Sequence, residues 1–255
     1  MLMFGIITSL HGMSPLATYG LGAVFFLLLA TICFLIPAGL VAAELGTGWQ
    51  RDGGVYVWVT EAFGPRAGFV AAFLQWFQNV IFWTVILTSS AAMLALSVGW
   101  DGGLDSAPYT AAVVVGTIWL ITLLTIRGLR TSGAIGTIGS VAGTIAPGLA
   151  LIVLAAIFLL DGNKSNVSFE LSNLIPDLSK SGNITFGIST IVIFAGIEVM
   201  ATRVAEIRNP ARTYPRATLI SIAMVAGLLI PTTLAIAVLV PNHELSITAG
   251  IVQAV

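Results

Sequence analysis

Six long apolar stretches constrain this chain more than any other feature of its sequence. They cover residues 18–43, 67–98, 110–126, 134–160, 185–205 and 217–240. Each approaches or exceeds the roughly 20 residues that a helix needs to cross the hydrocarbon core of a bilayer. Within hydrocarbon every backbone N–H and C=O must find its partner inside the segment, so the stretches are expected to be helices. The two-residue alternation of membrane barrel strands is absent from them. Composition points the same way, since charged residues are 8% and hydrophobic residues 57% of the 255. A soluble domain carries about 25% charged residues. So few charges cannot cover a water-facing surface, and ten Lys+Arg against eleven Asp+Glu leave no basic field for a nucleic acid. A soluble enzyme and a nucleic-acid binder are therefore excluded. The expected fold class is all-α, a polytopic protein whose partner is the lipid bilayer.

The connecting segments give an orientation. If the six stretches alternate across the membrane, Arg51, Arg66, Arg127, Arg130, Arg203, Arg208, Arg212 and Arg216 all fall on one side. Lys164 and Lys180 fall on the other. The positive-inside rule assigns the arginine side to the cytoplasm of a cell membrane. Residues 1–17 then begin outside. Met1–Leu10 is apolar but rises only about 15 Å as a helix, half a bilayer, and reads as the outer end of a truncated first helix. Residues 241–255 read as a short outer stub. Cys33 is the single cysteine, and His11 and His243 lie far apart, so no disulfide framework, metal site or cofactor is expected.

Glu198 is the sharpest candidate for a functional residue. It lies in Phe194-Ala195-Gly196-Ile197-Glu198, past the middle of the fifth stretch. A carboxylate at such depth costs a few kcal/mol to insert and marks a functional site by default. Gly196 weakens the helix beside it, and Thr202 and Arg203 follow. The pattern predicts a broken helix. Its first half ends in free carbonyls and its second begins with free amides, which suits a zwitterionic amino acid. In the second stretch, Gln75, Gln78 and Asn79 are expected to face the bundle interior. There they either join helices by hydrogen bonds or line a substrate path. Gly133, Gly136, Gly139 and Gly143 form a smooth face for close helix packing. Pro37, Pro147 and Pro231 are expected to kink their helices. Residues 44–59 combine a glycine-rich turn with an aromatic amphipathic stretch, which suits a short interfacial helix. Between the fifth and sixth stretches, Arg203, Glu206, Arg208 and Arg212 mix acid with base, as in a cytoplasmic gate of breakable ion pairs.

Several segments together resemble the bacterial glutamate/GABA antiporters of the amino acid–polyamine–organocation superfamily. They include Ala42-Ala43-Glu44-Leu45, Gly53-Gly54-Val55-Tyr56-Val57-Trp58-Val59, Gly64-Pro65-Arg66-Ala67-Gly68-Phe69, Gly196-Ile197-Glu198, Asn209-Pro210-Ala211-Arg212-Thr213-Tyr214-Pro215 and Asn242-His243-Glu244-Leu245. The resemblance implies a leucine-transporter-type bundle of two inverted five-helix repeats, of which this chain holds the second to seventh helices. It implies that the fifth stretch is the discontinuous sixth helix of that fold. The backbone at Ala195, Gly196 and Ile197, with Phe194 nearby, would then meet the substrate's amino group. Glu198 would sense protons or gate, and Gln78 and Asn79 would be substrate contacts. Six residues before Glu198 stands Val192, where the arginine/agmatine antiporter of this superfamily has a stacking tryptophan. An arginine-type substrate is thereby disfavoured. The implied activity is amino acid transport by alternating access, exchanging a glutamate-type substrate for its decarboxylation product, with protons as the coupling ion. A neutral amino acid or polyamine permease is the alternative within the class, and a non-transporting membrane accessory subunit the alternative outside it. The chain alone, lacking the first helix and the eighth to tenth, is expected to be inactive.

Overall fold

The computed structural model describes residues 16–103, 106–126, 129–170, 173–177, 179 and 181–240, and it is helical with no strand among them. Helix α1 spans Leu21–Gly48, α2 Val55–Phe63, α3 Pro65–Ser97 and α4 Ala107–Thr125. Helix α5 is built from Leu129–Ser140, Val141–Ile145 and Ala146–Leu160. The fifth stretch divides into α6, Ser181–Ile193, and a 3₁₀ helix, Ile197–Glu206. Helix α7 spans Pro210–Leu239. Among the described residues, six runs are long and apolar enough to cross a membrane, namely Leu21–Gly48, Pro65–Ser97, Ala107–Thr125, Gly133–Leu160, Gly182–Thr202 and Pro210–Leu239. The expected truncated first helix at Met1–Leu10, the stub at 241–255, Arg127 and Lys180 lie outside the described residues.

Several boundaries shift by a few residues from the sequence reading, and two of the shifts have a clear local cause. Helix α1 continues past residue 43 to Gly48, with the Thr47 hydroxyl donating to the Ala43 carbonyl at 2.8 Å. Helix α7 starts at Pro210 instead of 217. Proline suits the first helical position because its fixed φ is already helical and its missing N–H had no partner there. Asn209, at φ 53°, turns the chain just before it. Arg212 and Arg216 consequently belong to the first turns of α7.

At two of the prolines expected to kink their helices, the helix before the proline widens. Thr31–Leu35 and Val141–Ile145 are π-helical, and each ends two residues before a proline, Pro37 and Pro147. A proline leaves the carbonyl four residues back without a donor and crowds it, and a widened turn gives that carbonyl room. Pro231 instead sits inside the uninterrupted α7.

Helix α7 is the packing centre, in contact with α1, α5 and the 3₁₀ helix. Lipid tails are as apolar as leucine, so helices in a bilayer associate through close packing and small residues, not through escape from water. The face of α1 that meets α7 shows this, with Gly39, Ala42, Ala43 and Gly46 all buried along it. A Cβ on Gly39 would lie 2.8 Å from Ile222 Cδ1 and 2.9 Å from Ile197 Cδ1. At Gly46 the added atom would lie 3.4 Å from Tyr214 Cε1. On α5, Gly139 and Gly143 of the expected small-residue face have nothing within 4 Å among the described residues, whereas Gly148, outside that face, approaches Leu228 and Thr232. Helix α4 has no buried residue and packs along the edge, against α3 and α5.

Candidate functional site

The fifth span breaks at Phe194-Ala195-Gly196. Phe194 N–H donates to the Ile191 carbonyl and Ala195 N–H to the Val192 carbonyl, both at 3.1 Å. These are i→i−3 bonds, so the α-helical ladder has tightened and stopped. Gly196 follows at φ 113° and ψ −3°, a conformation that a side chain disfavours. Phe194 is 0% exposed and Ile197 2%, so the turn is held between two core side chains packed with α1 and α7. Among the described residues, no backbone amide donates to the carbonyls of Phe194 or Ala195. They sit at the C-terminal end of α6, where the helix dipole is negative. The arrangement offers two acceptors to a cationic group.

On the other side of the break, Gly196 N–H donates to Glu198 Oε2 at 3.2 Å. The half-buried carboxylate thus folds back on the turn and satisfies one of its amides. In a 3₁₀ helix residues three apart eclipse one another. Glu198, Ala201 and Val204 therefore form one column. Ala201 and Val204 are buried and pack with Ala43 and Tyr214 in a small cluster separate from the main core.

The turn after α1 grips this 3₁₀ helix from outside. Gly53 N–H donates to the Thr202 carbonyl at 3.1 Å, and the Asp52 carboxylate accepts from Ala205 N–H at 3.1 Å. Gly54, at φ 49°, lies so close that a Cβ would stand 3.1 Å from Thr202 N. Glycine is required here for both reasons. The 3₁₀ helix and the turn before α2 consequently behave as one packed unit.

Of the expected site residues, the structure brings Phe194, Ala195, Gly196, Ile197 and Glu198 together at the break. Phe194 and Ile197 present backbone there, their side chains being core. Gln78 and Asn79 are elsewhere, on α3, whose packing partners are α2 and α4. Asn79 Nδ2 donates to the Gln75 carbonyl of its own helix at 2.9 Å, and Gln78 is exposed. Of the expected gate, Arg208 and Arg212 are exposed, and Arg203 and Glu206 are described by backbone alone. The salt bridge present among the described residues joins Arg51 to Glu61 at 3.4 Å, on the exposed side of the α1–α2 turn and α2. The sequence reading missed Asp52 and Tyr214. The spacing Gly39, Ala42, Ala43, Gly46 was the signal for the close approach that brings both to the 3₁₀ helix.

Comparison with known proteins gives the family. The model of the family described as amino acid permease matches residues 1–255. An uncharacterized transporter of Legionella pneumophila is 34% identical over 248 residues, covering 97% of this chain and 53% of the relative. A glutamate/gamma-aminobutyrate antiporter of Lactococcus lactis subsp. cremoris is 30% identical over 240 residues, 93% of this chain and 47% of the relative. The inner membrane transporter YjeM of Escherichia coli is 27% identical over 232 residues, 84% of this chain and 46% of the relative. The chain thus spans about half the length of the curated relatives it matches. With six membrane-length helices, a broken fifth span and a family match over its whole length, the chain belongs to the amino acid permease family.

Proposed function

We propose that this chain is part of an amino acid transporter of the cell membrane that works by exchange, carrying a glutamate-type amino acid against its decarboxylation product. The observation that carries the reading is the break at Phe194-Ala195-Gly196, where the Phe194 and Ala195 carbonyls, at the negative end of α6, take no backbone amide among the described residues. An α-ammonium group meets two acceptors and a favourable dipole there. Glutamate carries it beside its α-carboxylate, and its decarboxylated amine keeps the same nitrogen as a primary ammonium at the end of the chain opposite the remaining carboxylate. The family supports amino acid transport, and the similarity to the Lactococcus antiporter supports this substrate pair.

In this reading the arginine-bearing loops lie in the cytoplasm, and the site opens alternately to each side as the 3₁₀ helix and the Asp52 turn move together. Glu198 couples that movement to protons, by releasing the Gly196 amide when it is protonated. Gln78 and Asn79 meet the substrate only after α3 approaches the break. Arg203, Glu206, Arg208 and Arg212 close the cytoplasmic path.

The test is counterflow of radiolabelled glutamate, GABA, neutral amino acids and polyamines by the full-length protein in proteoliposomes, from pH 5 to 8. Labelled glutamate accumulating against internal GABA, faster at low pH, supports the reading. Accumulation of a polyamine alone, or of nothing in the panel, removes it.

A further inference from the structure

Tyr214 has a property that packing does not explain. Its side chain is 0% exposed, and its hydroxyl has no hydrogen-bond partner among the described residues. A buried hydroxyl left without a partner costs about 1–3 kcal/mol relative to a satisfied one. Phenylalanine would fill the same space between Gly46, Ala201 and Val204 without that cost. The tyrosine packs against Ala201 and Val204, and the same 3₁₀ column carries Glu198 one turn before Ala201. The carboxylate makes one hydrogen bond among those described, the 3.2 Å contact from Gly196 N–H, and a carboxylate has about four lone-pair sites.

We propose that Tyr214 is a positioning residue for Glu198, its hydroxyl being the donor that the carboxylate takes when it leaves the Gly196 amide. Glu198 then has two stations. At the first it covers the amide of the turn, as seen here. At the second it lies along the column on the phenol, and the turn is open. The orphaned hydroxyl is the vacant second station. The step moves no covalent bond: one N–H···O bond breaks and one O–H···O bond forms. The proposal rests on the transport reading above for its functional consequence, though not for its geometry.

The experiment is a double-mutant cycle of Tyr214→Phe and Glu198→Gln in the full-length protein. Tyr214→Phe should melt no lower than wild type, because it deletes an unpartnered group. It should nevertheless slow exchange by about tenfold to hundredfold, the worth of one hydrogen bond to a charged acceptor, with KM changed by less than about twofold. In a Glu198→Gln background the same substitution should have no further effect. An unchanged rate in Tyr214→Phe, or equal slowing in both backgrounds, overturns the proposal. Infrared spectroscopy supplies a readout that needs no transport. The Glu198 carboxylate band, assigned by difference from Glu198→Gln, should show two components, one of them lost in Tyr214→Phe. A band that Tyr214→Phe leaves unaltered also overturns the proposal, whereas failure of counterflow with the two-component band present removes only the transport reading.

Discussion

Replacing Gly196 with alanine isolates the feature on which the site depends. At φ 113° a side chain costs about 1–3 kcal/mol. Any unbroken alternative gains about 1 kcal/mol, because alanine is the better helix former. The balance between broken and continuous forms thus moves by about 2–4 kcal/mol, a factor of about 30 to 1,000. For a chain of this length 1 kcal/mol shifts the melting temperature by about 2–4 °C. The strain alone should therefore lower it by about 2–12 °C. The control is Gly227→Ala in α7, where an added Cβ meets nothing within 4 Å and the helix is regular, so the melting temperature should hold or rise. The assay is thermal unfolding of both variants in detergent, with amide hydrogen exchange over residues 190–206. In Gly196→Ala the amides at 194–197 should change protection, while Gly227→Ala leaves them alone. If Gly196→Ala melts with the wild type and exchanges identically, the left-handed turn is not adopted and the argument from free carbonyls fails.

Other perturbations test the elements that hold the break. Gly39→Leu should destabilise by about 1–3 kcal/mol, the usual cost of overpacking. Gly39→Ala should cost less, because the tips of Ile197 and Ile222 can yield, and chemical denaturation ranks the two. Gly54→Val should cost at least as much as Gly39→Leu, since its neighbour is the Thr202 backbone and φ is 49°; comparative melting checks this. Asp52→Ala removes an exposed acceptor from Ala205 N–H and should cost no more than about 1 kcal/mol. Hydrogen exchange should localise that loss to the end of the 3₁₀ helix.

The parts of the fold legible in sequence were those set by local physics. Apolar length fixed the six spans, because peptide groups in hydrocarbon leave helix as the economical choice. Gly196 beside Glu198 marked the break, because one residue both relaxes the backbone and sits next to a charge that needs a polar setting. Long-range partners were not legible. Asp52 meets Ala205 across 153 positions, and nothing in either segment announces the other. Gln78 and Asn79 drew attention because amides are costly in lipid. In this structure Asn79 Nδ2 donates to a carbonyl of its own helix, an outlet that residue type alone does not reveal. The glycines of α5 drew attention by their number, yet the closer approach belongs to α1, where alanines share the small face with Gly39 and Gly46.

The central claim is that a substrate's ammonium group sits on the broken fifth span. An experimental structure of the full-length protein with saturating glutamate tests it most directly. The account predicts the ammonium nitrogen within about 3 Å of the Phe194 and Ala195 carbonyls. Glutamate bound away from this turn, or a fifth span running as continuous α-helix through Gly196, would contradict it.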